Sequence, residues 1–321
     1  MGSGYSMAAL PQWYYEGSRT YGRKGYNAAM ATWRAGELDA DISSKTFVVT
    51  GANAGLGRAV ATHLATRRAT VHMVCRNEAR GRAAHEEIAK ATGNSNLTLH
   101  LVDMSDFDAV KRWGEDFAST NRVDCLINNA GAMPPERHEN AVGCETGMAA
   151  MMGGTFLLTG LLVPALRRST SPRVVDVSSG GMYLAQLDTK DLQCTSRKYD
   201  PAFQYAVTKR AQVILSESWA QQLKGFGVNV YCMHPGWADT EGVKKALPDF
   251  REQRKGDLRT AAEGADTIMW LATNPALNGP SGEFWFDRKP VRKHMRLART
   301  RSSDEDKAWL WGECERLTGW R

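Results

Sequence analysis

The sequence predicts an open α/β domain: a doubly wound, mostly parallel sheet with helices on both faces. Three observations predict it. Short, near-continuous apolar runs recur along the chain with helix-patterned stretches between them, the pattern of a parallel sheet buried on both sides. A glycine-rich turn, Thr50-Gly51-Ala52-Asn53-Ala54-Gly55-Leu56-Gly57, follows the first of those runs. Further on come a serine pair, Ser178-Ser179, and the segment Tyr205-Ala-Val-Thr-Lys209.

The elements follow in order. Residues 12–33 are aromatic and basic, with Trp13, Tyr14, Tyr15, Tyr21, Tyr26 and Trp33 among Arg19, Arg23 and Lys24. For this arm, residues 1–41, three readings stay open: an anchor on a membrane surface or a larger assembly, a targeting segment, or an arm packed on its own protein. Phe47-Val48-Val49 is the first strand, and Leu56 to Arg68 the first core helix. Thr70 to Cys75 is the second strand. Asn77 to Thr92 is a polar helix ended by Gly93-Asn94. Leu97 to Val102, Val123 to Ile127, Arg173 to Val177, Val228 to Met233 and Gly282 to Phe286 are the remaining strands. Together they make one domain, residues 42–287, with a sheet of about seven strands. Residues 288–321 form a basic tail. Arg288, Lys289, Arg292, Lys293, Arg296, Arg299 and Arg301 occur there before any acid, and the expectation is a solvated, extended stretch. A short helix then places Trp309, Leu310, Cys314 and Leu317 on an apolar face.

Bulk composition narrows the function classes. The chain has 321 residues, 42% hydrophobic and 24% charged, enough to bury a sizeable core. Net charge is +6. The basic tail carries no interleaved aromatic residues, so nucleic acid is not expected as a partner. No apolar run reaches the ~18 residues of a membrane span. The six cysteines show no Cys-x-x-Cys and no metal-ligand spacing with histidine, so no metal is expected. Cys75, Cys125 and Cys232 fall in strands, where thiols act as small core residues. That points to an intracellular, reducing compartment: the cytoplasm first, an organelle or a membrane surface otherwise. Oligomerisation stays open.

The motifs fall just beyond strand ends, where open α/β sheets bind ligands. Gly51, Gly55 and Gly57 let the chain turn tightly and let its backbone approach a pyrophosphate, with Asn53 and Leu56 in the same loop and a helix N-terminus behind it. The context is that of a Rossmann-like dinucleotide site. No acid stands at the end of the second strand to hold ribose hydroxyls. Arg76 stands there instead and suits a 2′-phosphate, which favours NADP(H); Arg58 could add a second basic contact. Asp103 could bond the adenine amine or cap the helix near Asp106. Asn129, Ala130 and Gly131 allow the nucleotide to lie close. Pro235 and Gly236 form a rigid turn at the nicotinamide, and Thr240 could bond the carboxamide. His234 reads as structural. On one helix face Tyr205 and Lys209 project together. A cation there would lower the phenol's pKa from about 10 and let it exchange a proton with an alcohol or ketone.

These motifs, spanning roughly Thr46 to Phe286, resemble the short-chain dehydrogenase/reductase family. The resemblance implies residue roles: Tyr205 as acid/base, Lys209 tuning it and bonding the nicotinamide ribose, and Ser179 rather than Ser178 bonding the substrate oxygen. Trp237 would face a lipophilic small-molecule substrate, and Leu187 to Asp200 would wall the site. One position departs. The family's usual asparagine, which holds a water of the proton relay, falls within Ala150 to Gly154, at Met151. A thioether cannot donate a hydrogen bond. Gly147, Gly153 and Gly154 weaken the same helix. The reading is an NADP(H)-dependent oxidoreductase; the alternative is the same fold kept as a structural or regulatory subunit with weak or no turnover.

Overall fold

A computed structural model describes residue 6, residues 8–277 and residues 279–321. The expected arm therefore begins outside the described residues. In chain order the elements are α1 (Leu10–Thr20), α2 (Arg23–Met30), β1 (Thr46–Thr50), α3 (Gly55–Thr66), β2 (Thr70–Cys75), α4 (Glu78–Thr92), β3 (Leu97–Leu101), α5 (Phe107–Thr120), β4 (Cys125–Asn128), α6 (Thr146–Met148), a π-helical turn (Ala149–Gly153), α7 (Gly154–Leu166), β5 (Arg173–Val177), α8 (Pro201–Gln222), β6 (Asn229–Met233), α9 (Glu241–Ala246), α10 (Pro248–Gln253), α11 (Ala261–Thr273), β7 (Phe284–Phe286), β8 (Lys289–Val291) and α12 (Asp304–Thr318).

The strands form one sheet in the order β3-β2-β1-β4-β5-β6-β7-β8. All pairs are parallel except β7 with β8. Strand alternation divides the core. Val48, Leu126, Val174 and Val230 face the layer of α5, α7, α8 and α12. Phe47, Val49, Ile127, Val175 and Tyr231 face the layer of α3, α4 and α11. Strand order reverses at β1, between β2 and β4, and open α/β sheets bind ligands beyond the strands' carboxyl ends at such a switch point.

The predicted doubly wound sheet is present, and three details of the reading are corrected. β8, Lys-Pro-Val, is an eighth strand. It has no apolar run to announce it, and its lysine and proline suit an exposed edge. The basic tail is solvated only in part: Lys289, Arg292, Arg296, Arg299 and Arg301 are exposed, while other residues of the stretch are held against the domain. Arg288 pairs with Asp266 and Glu37, Lys293 with Glu217, and Met295, Ala298 and Thr300 are buried. The acids that neutralise this stretch lie far away in sequence, so the local composition overstated its exposure. α12 docks through Leu310, Cys314 and Leu317. Trp309 turns outward at 39% exposure, and Trp311 packs against Phe156 and Trp219 instead. Among the described residues no helix is long and apolar enough to cross a membrane, and no group of metal-binding side chains occurs.

The arm packs on its own protein, the third of the open readings. α1 lies across the carboxyl end of β6: Trp13 and Tyr21 meet Trp237 edge-on, with ring centroids 5.7 and 5.5 Å apart. Tyr21 meets His234 at 4.5 Å.

Candidate active site

The glycine loop is built for close approach. Gly51 takes φ +66 and Gly55 φ +53, a region that glycine enters without a Cβ clash. A Cβ on Gly57 would lie 2.3 Å from Gly51 O and 2.4 Å from Asn129 Nδ2, so α3 can start against β1 only with glycine there. Ala54, the residue before α3, supplies no side-chain cap. The first N–H groups of α3 are thus left for an anion. Asn129 ties the loop to β4, donating Nδ2 to Thr50 O at 2.9 Å. Thr50 Oγ1 in turn accepts from the backbone N–H groups of Asn129 and Ala130 at 3.0 and 2.9 Å. Sequence reading missed Thr50; its hydroxyl in an otherwise apolar strand was the available signal. Leu56 packs on the core, Asn53 is half-buried, and Thr240 reaches the loop, with Cγ2 3.4 Å from where a Gly55 Cβ would be.

At the end of β2, Arg76 is exposed and lies 3.7 Å from Asp103. Asp103 accepts from Ser105 N and Oγ at 2.9 and 2.8 Å. It does not cap α5; Asp106 does, accepting from Ala109 N. Arg58 pairs with Glu87 on α4. The residues present fit a dinucleotide: glycines at positions 51, 55 and 57, a helix start without a side-chain cap and an exposed guanidinium at the β2 end.

Tyr205, Ser179 and Lys209 come together at the ends of β5 and on α8. Asp200 caps α8, accepting from Ala202 and Phe203 N–H groups. Four residues, about one turn, then bring Tyr205 and Lys209 onto one face, with Nζ 5.4 Å from the Tyr205 ring centroid. Ser179 accepts from Gly181 N at 3.2 Å. Ser178 is structural: buried, it donates to Lys209 O at 2.9 Å. The expected lowering of the phenol does not occur. Burial pushes the Tyr205 pKa up to about 12, against a lowering hydrogen bond from Ser179. Burial also pulls Lys209 down to about 8, against the raising charges of Cys232 and Asp176. The physical reason is where Nζ points. It donates to Val177 O and Gln212 Oε1, each at 2.8 Å, while both groups have lost hydration.

Met151 lies where the reading placed it, inside the π-helical turn and 1% exposed. Its sulfur and Lys209 Nζ flank Gly131, at 3.4 and 3.8 Å from the point a Gly131 Cβ would occupy. The glycines of this helix have a packing cause: a Cβ on Gly154 would come 2.0 Å from Met104 O. Pro235 and Gly236 follow β6, and Gly236 N donates to His234 Nδ1 at 3.0 Å. His234 is buried and stacks on Phe286 at 4.2 Å, a structural placement. Trp237 is covered by α1, with Phe250 against it and the Arg254 guanidinium over its ring. The arm itself reaches the turn after Ser179: Trp13 Nε1 donates to Gly180 O at 2.8 Å. That contact was not read from sequence, although the density of aromatic residues in the arm was the signal for it.

The comparisons agree with this architecture. Residues 45–250 match the family model for short chain dehydrogenase. The chain is 41% identical over 306 residues to human (Homo sapiens) dehydrogenase/reductase SDR family member 12, covering 95% of this chain and 96% of that protein. It is 34% identical to human (Homo sapiens) retinol dehydrogenase 12, covering 86% and 87%. The crystal structure of an uncharacterized protein from Mycobacterium paratuberculosis superposes with a TM-score of 0.70 at 28% identity, covering 88% of this chain and 97% of that one. With a glycine loop after its first strand, Tyr205 beside a buried lysine, and these relatives along nearly its whole length, this chain belongs to the short-chain dehydrogenase family of oxidoreductases.

Proposed function

We propose that this protein is an NADP(H)-dependent oxidoreductase acting on a lipophilic carbonyl or alcohol, with Tyr205, Ser179 and Lys209 as its machinery. The observation that carries the reading is the Lys209 ammonium 5.4 Å from the Tyr205 ring centroid, bonded to Val177 O just ahead of the Ser178-Ser179 pair. When bound, the nicotinamide supplies or takes the hydride. The chain's own residues handle the oxygen and its proton. Ser179 would donate to the substrate oxygen and orient it. In the reducing direction Tyr205 would deliver its phenolic proton to that oxygen. A phenol held near pKa 12 is fully protonated at neutral pH and so is loaded for this step. Lys209 would steady the resulting phenolate by charge. Gly51, Asn53, Gly55, Leu56 and Gly57 would cradle the pyrophosphate, and Arg76 the 2′-phosphate. Asp103 would face the adenine. Asn129, Ala130 and Gly131 would form the floor, with Pro235, Gly236 and Thr240 closing the nicotinamide side.

The substrate class rests on the retinol dehydrogenase relative; Trp237, expected to face the substrate, is instead packed under α1 against Trp13 and Tyr21. The test is fluorescence titration with NADPH and NADH, followed by turnover assays on retinaldehyde and long-chain aldehydes. NADPH binding with measurable reduction supports the proposal. Tight NADPH binding without turnover of any carbonyl would favour a non-catalytic role.

A further inference from the structure

The lysine of this site is held by a residue that none of the motifs includes. Gln212 stands one turn beyond Lys209 on α8 and accepts from its Nζ at 2.8 Å. An ammonium donates three hydrogen bonds and accepts none, so the amide must present its oxygen to it. The amide nitrogen then faces away, and Gln212 Nε2 is buried without a protein partner. Nearby, Trp219 Nε1 and Asn128 Oδ1 are also buried without partners. Gln212, Trp219 and Asp176 line one cavity of about 10 Å³, together with Met151, Met152 and Phe156, close to the lower limit for a single water. Asp176 is bonded by Asn128 Nδ2 at 2.8 Å and by Ser216, so an acceptor and two donors converge on that space.

We propose that Gln212 is a positioning residue for Lys209, its amide fixed by one buried water shared with Trp219 and Asp176. The inference rests on the dehydrogenase reading above. Val177 O and Gln212 Oε1 take two of the ammonium's three donors, which sets Nζ at the floor beside Gly131 and leaves the third N–H for the crevice. Met151, on the other side of Gly131, offers no amide that could share this task. Held by one acceptor instead of two, Nζ would sample several positions, and misplacement on the scale of an ångström lowers catalytic rates by up to about 100-fold.

The experiment uses the full chain with Gln212→Met, which keeps the shape and removes the acceptor, and Gln212→Glu, which keeps an acceptor. The first readout is the pH titration of the Lys209 ¹³Cε signal in cofactor-free protein, which needs no substrate. Gln212→Met is expected to lower the midpoint and Gln212→Glu to raise it. The second readout is steady-state kinetics on the best carbonyl. Gln212→Met is expected to lower kcat by about 10- to 100-fold with KM for NADPH changed less than about threefold, and Met151→Asn added to it is expected to restore part of kcat. A Lys209 midpoint unchanged in both variants, or a Gln212→Met kcat within about twofold of wild type, overturns the proposal. If wild type turns over no carbonyl, the dehydrogenase reading fails by itself and the titration still decides the role of Gln212. Should Gln212→Met not fold, the upward shift in Gln212→Glu carries the decision.

Discussion

Arg259 grips Asp287 in the protein interior through two parallel hydrogen bonds, Nη1 to Oδ1 at 2.6 Å and Nη2 to Oδ2 at 2.9 Å. The same guanidinium donates to the carbonyls of Thr20 and Tyr21, each at 2.9 Å. Those are carbonyls at the end of α1 that the helix itself leaves unpaired. One buried arginine therefore satisfies a carboxylate and fastens the arm over the site, which is why the arm, the turn at Gly236 and the end of β7 behave as one unit.

Breaking this contact should be costly and directional. Arg259→Met leaves Asp287 as an uncompensated buried charge, and removal of one partner of such a pair costs about 3–5 kcal/mol. Urea denaturation should show that loss, and limited proteolysis should cut the arm ahead of Arg23 first. Arg259→Met with Asp287→Leu should regain much of the stability while the arm stays cleavable. A single-mutant loss under about 1 kcal/mol would mean that the pair is not buried in solution.

Cofactor preference tests the end of β2. Arg76 is exposed there and its nearest acid, Asp103, is 3.7 Å away, so a phosphate can compete for it. Arg76→Asp should weaken NADPH by at least about tenfold, or about 1.4 kcal/mol, with NADH less affected. Equal binding of both cofactors by wild type would remove Arg76 from the assignment.

The proton step depends on one hydroxyl. Tyr205→Phe should lower turnover by about 10²- to 10⁴-fold and leave NADPH affinity near wild type. Ser179→Ala should lower turnover and also raise the Tyr205 pKa, because its hydrogen bond is what opposes burial. Turnover retained in Tyr205→Phe would place the acid elsewhere.

Acid should destabilise the fold through His234. Burial and the neighbouring Arg259 hold its pKa well below 6.5, and Nδ1 must stay unprotonated to accept from Gly236 N. Below pH 6.5 the unfolded chain binds a proton there that the native state does not. The stability this histidine contributes above pH 6.5 is therefore lost as pH falls toward its folded pKa. His72, pulled down to about 4 by burial first and His100 second, acts in the same sense. His234→Gln, which keeps an acceptor for Gly236 N, should flatten the slope below pH 6.5 by up to about 1.4 kcal/mol per pH unit. An unchanged slope would show that His234 does not titrate differently in the two states.

The sheet was legible in the sequence because buried parallel strands cannot avoid apolar runs. The candidate site was legible because Gly51, Gly57, Tyr205 and Lys209 stand at spacings of a few residues that a strand end or a helix turn fixes. Local order also places Met151 in the helix that faces the lysine. What the tertiary structure decided depends on groups far apart in the chain. Glu37 and Asp266 neutralise Arg288, which buries the start of a stretch that reads as a solvated tail. Arg259, unremarkable among the many basic residues, reaches the arm across more than two hundred positions. The direction of the Lys209 ammonium was also beyond local reading. Spacing brings it onto the face of Tyr205, but Val177 O, Gln212 Oε1 and the loss of water decide where Nζ points. That is why burial, and not the nearby cation, sets the Tyr205 pKa in this fold.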